Sequence, residues 1–202
     1  MIAVIDYDAG NLKSVEKALA YLGEKPVITR DREELLAADK VILPGVGAFG
    51  DAMERLHQYG LVDVIKEIVK KGTPFLGICL GLQLMFESSE ESPGVECLGL
   101  LPGKILKIPE APGMKVPHMG WNSLKVRPDF RLFQDIPDGS YVYFVHFYYL
   151  KAGSEDIVAA TTEYGTHIHA AVEKGNLFAC QFHPEKSSQT GLKILENFIK
   201  LS

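Results

Sequence analysis

The strongest constraint on the fold lies at positions 74–87, where an apolar run leads straight into a glycine-flanked cysteine. The motif Gly-Ile-Cys-Leu-Gly at 77–81 follows Pro-Phe-Leu and precedes a helical pattern at 82–87. This order predicts a strand, a sharp turn and a helix, with Cys79 at the apex. A side chain is exposed at such a turn only if its neighbours are small, as in the Gly-x-Ser-x-Gly nucleophile elbow. Gly77 and Gly81 meet that requirement.

Cys79 is a candidate nucleophile. The helix that follows it directs unpaired N–H groups and the positive end of its dipole at the sulfur, which favours thiolate over thiol. A thiol nucleophile also needs a base and a group that orients the base. His183 and Glu185 follow a predicted strand at 177–182, and residues i and i+2 of an extended chain share a side. The alternative is a small core residue, as free cysteines often are; the elbow and the His-x-Glu pair favour the nucleophile.

The order of elements predicts an α/β fold. Apolar strands at 2–5, 26–29, 41–43 and 75–78 alternate with helical patterns at 11–22, 31–36, 51–59, 61–71 and 82–87. Such alternation is typical of a parallel sheet covered on both faces. Short strands follow at 104–108, 123–126, 141–147, 157–160, 167–172 and 177–182, and a helix closes the chain at 189–201. We expect one three-layer domain over residues 1–202, mostly parallel, with antiparallel additions in its second half.

Composition excludes several classes of function. The 202 residues carry a formal net charge of -5, which argues against a broad nucleic-acid footprint. The three cysteines have no regular spacing, and Met1 leads into a strand without a basic leader, so we expect a cytoplasmic protein. No apolar run reaches the roughly 18 to 20 residues that span a bilayer, so no membrane location is expected.

Two glycine-rich loops are expected beside the elbow, because open α/β sheets place their sites at the carboxyl ends of strands. They lie at 8–11 and 44–50. A tetrahedral intermediate on Cys79 would develop negative charge on oxygen. Backbone N–H groups of Leu80 and of Gly45, Val46 and Gly47 could stabilise that charge as an oxyanion hole. The alternative is that the loop at 44–50 is only a flexible turn. The position of this loop beside the elbow favours the oxyanion hole.

Six segments together resemble the class I glutamine amidotransferases over nearly the whole chain. They are Asp-Tyr-Asp-Ala-Gly-Asn-Leu at 6–12, Pro-Gly-Val-Gly at 44–47, Cys-Leu-Gly-Leu-Gln at 79–83, Pro-His-Met-Gly-Trp-Asn at 117–122, Tyr-Phe-Val-His at 143–146 and His-Pro-Glu-Lys-Ser at 183–187. The resemblance implies a flavodoxin-like glutaminase domain whose catalytic triad is Cys79, His183 and Glu185.

The segment at 117–122 is similar in particular to the glutaminase subunits of imidazole glycerol phosphate synthase. This resemblance implies a heterodimer with a (β/α)8-barrel cyclase subunit, to which ammonia from glutamine is passed. The cyclase would make imidazole glycerol phosphate and an aminoimidazole carboxamide ribonucleotide in histidine biosynthesis. No metal and no organic cofactor is implied.

The same resemblance implies a set of glutamine-binding residues. Gln83, Glu91 and the backbone of Gly47 and Phe147 would hold the amino-acid head of the substrate. Each of the two side chains has an alternative interpretation. Gln83 could simply be a polar residue of the elbow helix, and Glu91 could belong to a solvent-facing acidic cluster with Glu87 and Glu90.

The candidate partner interface centres on Met119 and Trp121, since Trp121 is the only tryptophan and an aromatic beside a flexible thioether suits docking. Asn11, Tyr143 and Lys186 are further candidates. The alternatives are ordinary core packing for Trp121 and a solvated side chain for Lys186. We also hypothesise that the isolated chain is nearly silent, because the Gly45–Val46 peptide or a neighbouring loop is misoriented until partner and ligand bind.

Three competing interpretations remain. His167 and His169 share one side of a predicted strand and could begin a metal site, although surface positions are favoured because no third ligand follows the pattern. The chain could serve another synthase, or cleave γ-glutamyl or peptide bonds. It could also be an inert interaction module, which an intact triad disfavours. Cys97 and Cys180 lack the elbow context and are expected to be structural.

Overall fold

An eight-stranded sheet runs through the molecule, and its first half has the predicted alternation of strands and helices. The computed structural model describes residues 1–202. The first elements are β1 (Ile2–Ile5), α1 (Leu12–Tyr21), β2 (Val27–Thr29), α2 (Arg32–Ala37), β3 (Lys40–Leu43), α3 (Phe49–Gln58), α4 (Leu61–Lys70), β4 (Phe75–Ile78) and α5 (Leu80–Leu84). Strand β1 pairs in parallel with β2 and β3, and β3 pairs in parallel with β4. The predicted parallel sheet is confirmed.

The second half adds nine strands, most of them paired antiparallel with a neighbour. They are β5 (Ser88–Ser89), β6 (Gly103–Lys107), β7 (His118–Ser123), β8 (Lys125–Val126), β9 (Tyr141–His146), β10 (Tyr148–Ala152), β11 (Val158–Glu163), β12 (His167–Lys174) and β13 (Leu177–Cys180), before α6 (Ser188–Ile199). The sheet order is β2-β1-β3-β4-β13-β12-β11-β8. Strand β13 is parallel to β4, and the last three strands are antiparallel. Two smaller sheets have the orders β10-β6-β5 and β7-β9.

Alternating side chains of the central strands divide the core into two layers. Ala3, Ile5 and Leu43 pack on one face with residues of α2, α3 and α4. Val4 and Ile42 pack on the opposite face with residues of α1 and α6. The three-layer α/β prediction is therefore confirmed. No helix is long and apolar enough to cross a membrane.

The predicted strand at 123–126 covers only part of what the structure shows. Its Lys125–Val126 end is β8, but a separate strand, β7, begins earlier, covers His118–Ser123 and pairs with β9 in register. Gly, Trp and Asn do not together indicate a strand, so the pairing partner decides the conformation. The predicted strand at 141–147 ends at His146, and β10, which begins at Tyr148, was missed.

Helix α6 fixes the segment that follows β13. A short 3-10 helix at Pro184–Lys186 leads into α6. A Cβ atom on Gly191 of α6 would overlap the Pro184 carbonyl oxygen and come within 2.8 Å of the Ser187 Cβ. Ser187 Oγ donates to the His183 carbonyl (2.6 Å) and accepts from the Tyr143 N–H (2.9 Å). Only glycine at position 191 lets the helix approach the 183–187 segment this closely.

Gly191→Ala is expected to destabilise the fold, although Gly→Ala within a helix normally stabilises it by up to about 1 kcal/mol. Overlap with Pro184 should dominate and lower the free energy of unfolding by about 1–3 kcal/mol. Urea unfolding followed by circular dichroism measures the change. Gln189→Ala, an exposed position of the same helix, is the control and should be neutral or slightly stabilising. A stabilised Gly191→Ala variant would contradict the close contact.

Candidate active site

Cys79 lies at a strained turn between β4 and α5. Its backbone has φ 54° and ψ -111°, a region that L-residues rarely adopt. A Cβ on Gly81 would overlap the Leu43 carbonyl oxygen, and a Cβ on Gly77 would come within 2.5 Å of the Met85 sulfur. Both glycines are therefore required by close backbone packing, and the strand–turn–helix arrangement is the one that the sequence predicts.

The Cys79 sulfur borders a cavity of about 330 Å³. The sulfur lies 3.9 Å from the Val145 carbonyl oxygen and accepts from Gln181 Nε2 at 3.7 Å. The cavity is lined by Val46, Gly47, Ala48, Cys79, Leu80, Gln83, Glu91, Val145, His146, Phe147, Tyr148 and His183. Sequence reasoning missed Gln181, which is fully buried; its position two residues before His183 was the available signal.

His183 and Glu185 are in direct contact. His183 Nδ1 lies 2.7 Å from Glu185 Oε1, and both side chains are almost completely buried. The expected reason for this contact was wrong: strand β13 ends at Cys180, and the 3-10 helix at Pro184–Lys186 turns Glu185 back to the imidazole. His183 Nε2 is buried without a hydrogen-bond partner. His183 and Cys79 line the same cavity, so an acid or base stands beside the candidate nucleophile.

The charge environment keeps His183 protonated. Burial acts to lower its pKa, but interactions with the Cys79 sulfur and the Glu185 carboxylate outweigh burial and raise the pKa to about 10. The unfolded value is about 6.5. The folded state therefore holds this proton to a higher pH than the unfolded chain does. The resulting stabilisation is complete below pH ~6.5 and is lost as the pH rises towards 10.

The predicted oxyanion hole is not assembled in this conformation. The Leu80 N–H donates to the Gly45 carbonyl oxygen at 3.3 Å, so this peptide presents its oxygen, not an N–H, to the start of α5. Tyr7 holds the loop, because its hydroxyl donates to the Pro44 carbonyl oxygen at 2.6 Å. Val46 is exposed, and Gly47 has a φ of 101° with no atom near its Cβ position. The loop has room to move on its solvent side.

The predicted glutamine-binding residues lie at the cavity. Gln83 is buried, and its Nε2 donates to the Tyr148 carbonyl oxygen and to Gln181 Oε1, both at 3.1 Å. Glu91 is half-buried and accepts from the Phe49 N–H at 3.3 Å; burial raises its pKa. Phe147 lines the cavity and is exposed.

Glu87 and Glu90 are exposed, as the alternative of a solvent-facing acidic cluster expects, but both carboxylates also accept backbone hydrogen bonds. Glu87 Oε2 accepts from the Gly103 N–H at 2.9 Å, and Glu90 Oε2 accepts from the Lys107 N–H at 2.7 Å. These two carboxylates hold β6 against the end of α5 and β5, whereas Glu91 alone of the three borders the cavity. The three acidic residues therefore have different structural surroundings.

The predicted interface residues lie around one exposed face of β7 and β9. Met119 and Trp121 are 63% and 49% exposed, so Trp121 is not a core residue. The Trp121 and Tyr143 rings meet edge to face at 6.1 Å. Lys186 is exposed. Asn11 precedes α1, which packs beside the 3-10 helix of Lys186. Sequence reasoning missed Tyr141, 60% exposed; its alternation with Tyr143 was the available signal.

His167 and His169 have protein partners instead of a shared ligand. His167 pairs with Glu163, and His169 Nδ1 accepts from the Ala152 N–H at 3.0 Å. No group of three possible metal ligands occurs among the 202 residues. Cys97 and Cys180 are buried away from the cavity lining, and burial raises the pKa of both thiols, that of Cys97 to about 11.

Comparisons of sequence give a consistent result over nearly the full length. The family model for glutamine amidotransferase class-I matches residues 3–201. A protein of Moorella thermoacetica named imidazole glycerol phosphate synthase subunit HisH is 53% identical over 200 residues, covering 99% of this chain and 94% of the relative. A protein of the same name from Methanocaldococcus jannaschii is 51% identical over 201 residues and covers 100% of both chains.

Comparison of structures supports the same fold. A crystal structure described as a glutamine amidotransferase superposes with a TM-score of 0.77, covering 99% of this chain and 98% of that one. The two sequences are 20% identical, so this similarity concerns the arrangement of strands and helices.

Glu185→Gln is expected to lower the pKa of His183, because it removes the negative charge that favours the imidazolium. The side chain of His183 should remain protonated through pH 8 in the unmodified chain and titrate near pH ~10. Histidine ¹⁵N NMR across this range measures both values. Glu196→Gln is the control, because Glu196 pairs with Lys193 and Lys200 instead. Titration of the unmodified His183 below pH ~7 would contradict this electrostatic description.

Proposed function

Because the chain belongs to the class I glutamine amidotransferase family, we propose that it is the glutaminase subunit of an imidazole glycerol phosphate synthase, hydrolysing glutamine to glutamate and ammonia for histidine biosynthesis. The single observation that carries the chemistry is the Cys79 elbow in one cavity with His183, which Glu185 holds at 2.7 Å. A nucleophile, an acid–base group and an orienting carboxylate are the three parts of a triad.

The proposed reaction has two stages. The Cys79 sulfur attacks the side-chain amide carbon of glutamine, and the imidazolium of His183 gives its proton to the departing ammonia. Loss of ammonia leaves a thioester on Cys79 and a neutral His183. Water then attacks the thioester while His183 takes its proton, which releases glutamate and restores the Cys79 thiolate and the His183 imidazolium. Glu185 holds the ring through Nδ1 in both stages, so that Nε2 faces the reacting atoms.

The cavity suits the amino-acid head of glutamine. Both N–H groups of Gln83 are engaged by Tyr148 and Gln181, so Oε1 is the group that Gln83 offers to a ligand. Oε1 of Gln83 and the Glu91 carboxylate are acceptors and match the α-ammonium of the substrate. We assign the opposite wall of the pocket to the backbone of Gly47 and Phe147, which line the same cavity.

The Gly45–Val46 peptide is the proposed point of control. Its carbonyl oxygen accepts a hydrogen bond from the Leu80 N–H, so this N–H is not free to bind an oxyanion in the present conformation. Rotation of this peptide would release the Leu80 N–H and turn the Val46 N–H towards the developing charge. Gly45 supplies one of the two torsions of this rotation without a side chain, and Gly47, the residue after Val46, has open space around it in which the loop can adjust. We propose that partner and ligand binding favour the rotated form.

The proposed partner is a (β/α)8-barrel cyclase, with which the chain forms a cytoplasmic heterodimer of lyase activity. The exposed face that bears Met119 and Trp121, together with Asn11, Tyr143 and Lys186, is the proposed contact. The ring edge of Trp121 beside Tyr143 supplies a large, rigid apolar anchor of the type found at interface centres. Contact near the cavity would deliver ammonia before water protonates it.

Cys79→Ala is expected to lower glutamine hydrolysis in the complex at least about 10³-fold, because the nucleophile is lost. The substitution is small and should leave folding and partner affinity close to those of the unmodified chain. Glutamate release measures activity. Cys97→Ala is the matched control, since Cys97 is a buried cysteine outside the cavity lining. Retained hydrolysis by Cys79→Ala would remove Cys79 from its proposed role.

The isolated chain is expected to hydrolyse glutamine at least about 10²-fold more slowly than the complex with a cyclase subunit and its ribulosyl nucleotide ligand. An oxyanion donor is worth about this factor, and the Leu80 donor is engaged by Gly45. Glutamate release from the two preparations gives the ratio. High activity of the chain alone would contradict control by the peptide, and silence of both preparations would contradict the proposed partner.

A further inference from the structure

We propose that His118 is a positioning residue for the glutamine pocket and that it acts through a direct hydrogen bond to His146. This inference rests on the proposed glutaminase function, because its effect is on glutamine binding. His118 does not line the cavity, whereas His146 does. The two residues are opposite each other in the β7–β9 pair, and His118 Nδ1 lies 2.9 Å from His146 Nε2.

The direction of every hydrogen bond in this pair is determined by its two ends. At one end, His146 Nδ1 lies 2.7 Å from the Tyr148 carbonyl oxygen, which can only accept, so Nδ1 carries the proton. At the other end, Asn122 Nδ2 lies 3.3 Å from His118 Nε2 and can only donate. Neutral imidazoles then require His118 Nδ1 to donate to His146 Nε2. Both ends demand the same pair of tautomers.

The hydrogen bonds from Asn122 through His118 and His146 to Tyr148 form a relay, which continues to Cys79 through side chains already described. The Tyr148 carbonyl oxygen accepts from His146 and also from Gln83 Nε2 at 3.1 Å. Gln83 donates to Gln181 at 3.1 Å, and Gln181 donates to the Cys79 sulfur at 3.7 Å. A continuous series of hydrogen bonds therefore connects the buried side of β7 with the part of the pocket assigned to the amino-acid head.

Burial protects this arrangement at neutral pH. It lowers the pKa of His118 to about 4 and that of His146 to about 3. Both rings are therefore neutral under ordinary conditions. Protonation of either ring would place two donors opposite each other and break the relay.

His118 lies directly beneath the exposed face that bears Met119 and Trp121. Side chains alternate along a strand, and Met119 and Trp121 point outward while His118 is buried. Any change in β7 that accompanies contact at Met119 or Trp121 moves the backbone that carries His118. The relay therefore connects that face directly with the glutamine pocket.

Stacking and hydrogen bonding of His118 can be separated by substitution. Its ring lies between those of Phe144 and Tyr164, with centroids 4.6 and 4.0 Å away and interplanar angles of 20° and 13°. Phenylalanine keeps a stacked ring but cannot donate to His146. Asparagine loses the ring but retains an N–H near the position of Nδ1. The two variants therefore remove one property each.

The test is steady-state glutamine hydrolysis by the complete complex at saturating cyclase subunit and ribulosyl ligand. His118→Phe is expected to raise KM for glutamine about tenfold, since it leaves His146 Nε2 buried and unpaired, and to change kcat less than about threefold. His118→Asn is expected to stay within about threefold of the unmodified chain in KM, although its loss of stacking makes it the less stable variant. Thermal unfolding of both variants records that difference.

The outcomes separate a positioning role from a structural one. If activity follows stability, so that His118→Asn is impaired and His118→Phe is not, the inference is wrong. If the unmodified complex is active and His118→Phe has the same KM for glutamine, this inference is wrong but the proposed function stands. An unmodified complex that releases no glutamate would remove the proposed function together with it.

Discussion

The close approach of three backbone segments around Cys79 is the constraint on which the rest of the structure depends. Strand β4 and helix α5 meet at a residue with positive φ, and this turn fits only because Gly77 and Gly81 lack side chains that would overlap Met85 and Leu43. Gly45 is equally confined by Tyr7 and Leu80. The rigid sheet beneath holds this strain, and the reactive sulfur is thereby placed at the cavity wall.

Polar groups around the cavity are organised by burial. His183 and Glu185 form a nearly inaccessible pair, and the Cys79 sulfur and the Glu185 carboxylate together raise the His183 pKa against the desolvation that lowers it. His118 and His146 respond oppositely, because they face each other and peptide groups instead of carboxylates. The same chain thus holds one protonated histidine, His183, and two neutral histidines, His118 and His146.

Close packing also connects the two walls of the Cys79 cavity with neighbouring loops and strands. The Gly45 carbonyl oxygen accepts from the Leu80 N–H, and its loop is anchored through Pro44 to Tyr7. On the other side of the cavity, Tyr148 accepts from both His146 and Gln83. This second wall of the proposed glutamine pocket is therefore continuous with β9, which pairs with the strand that carries Trp121.

Sequence by itself determined the elements whose signal is local. Short apolar runs and helix periodicity predicted the parallel half of the sheet, and Gly77, Cys79 and Gly81 predicted the elbow, because both signals lie in neighbouring residues. Tertiary structure alone decided the rest. Strand β7 exists through its pairing with β9, Glu185 reaches His183 through a 3-10 turn that Gly191 permits, and the Gly45 peptide orientation depends on Leu80. Each depends on a contact between residues distant in the chain, which no local pattern specifies.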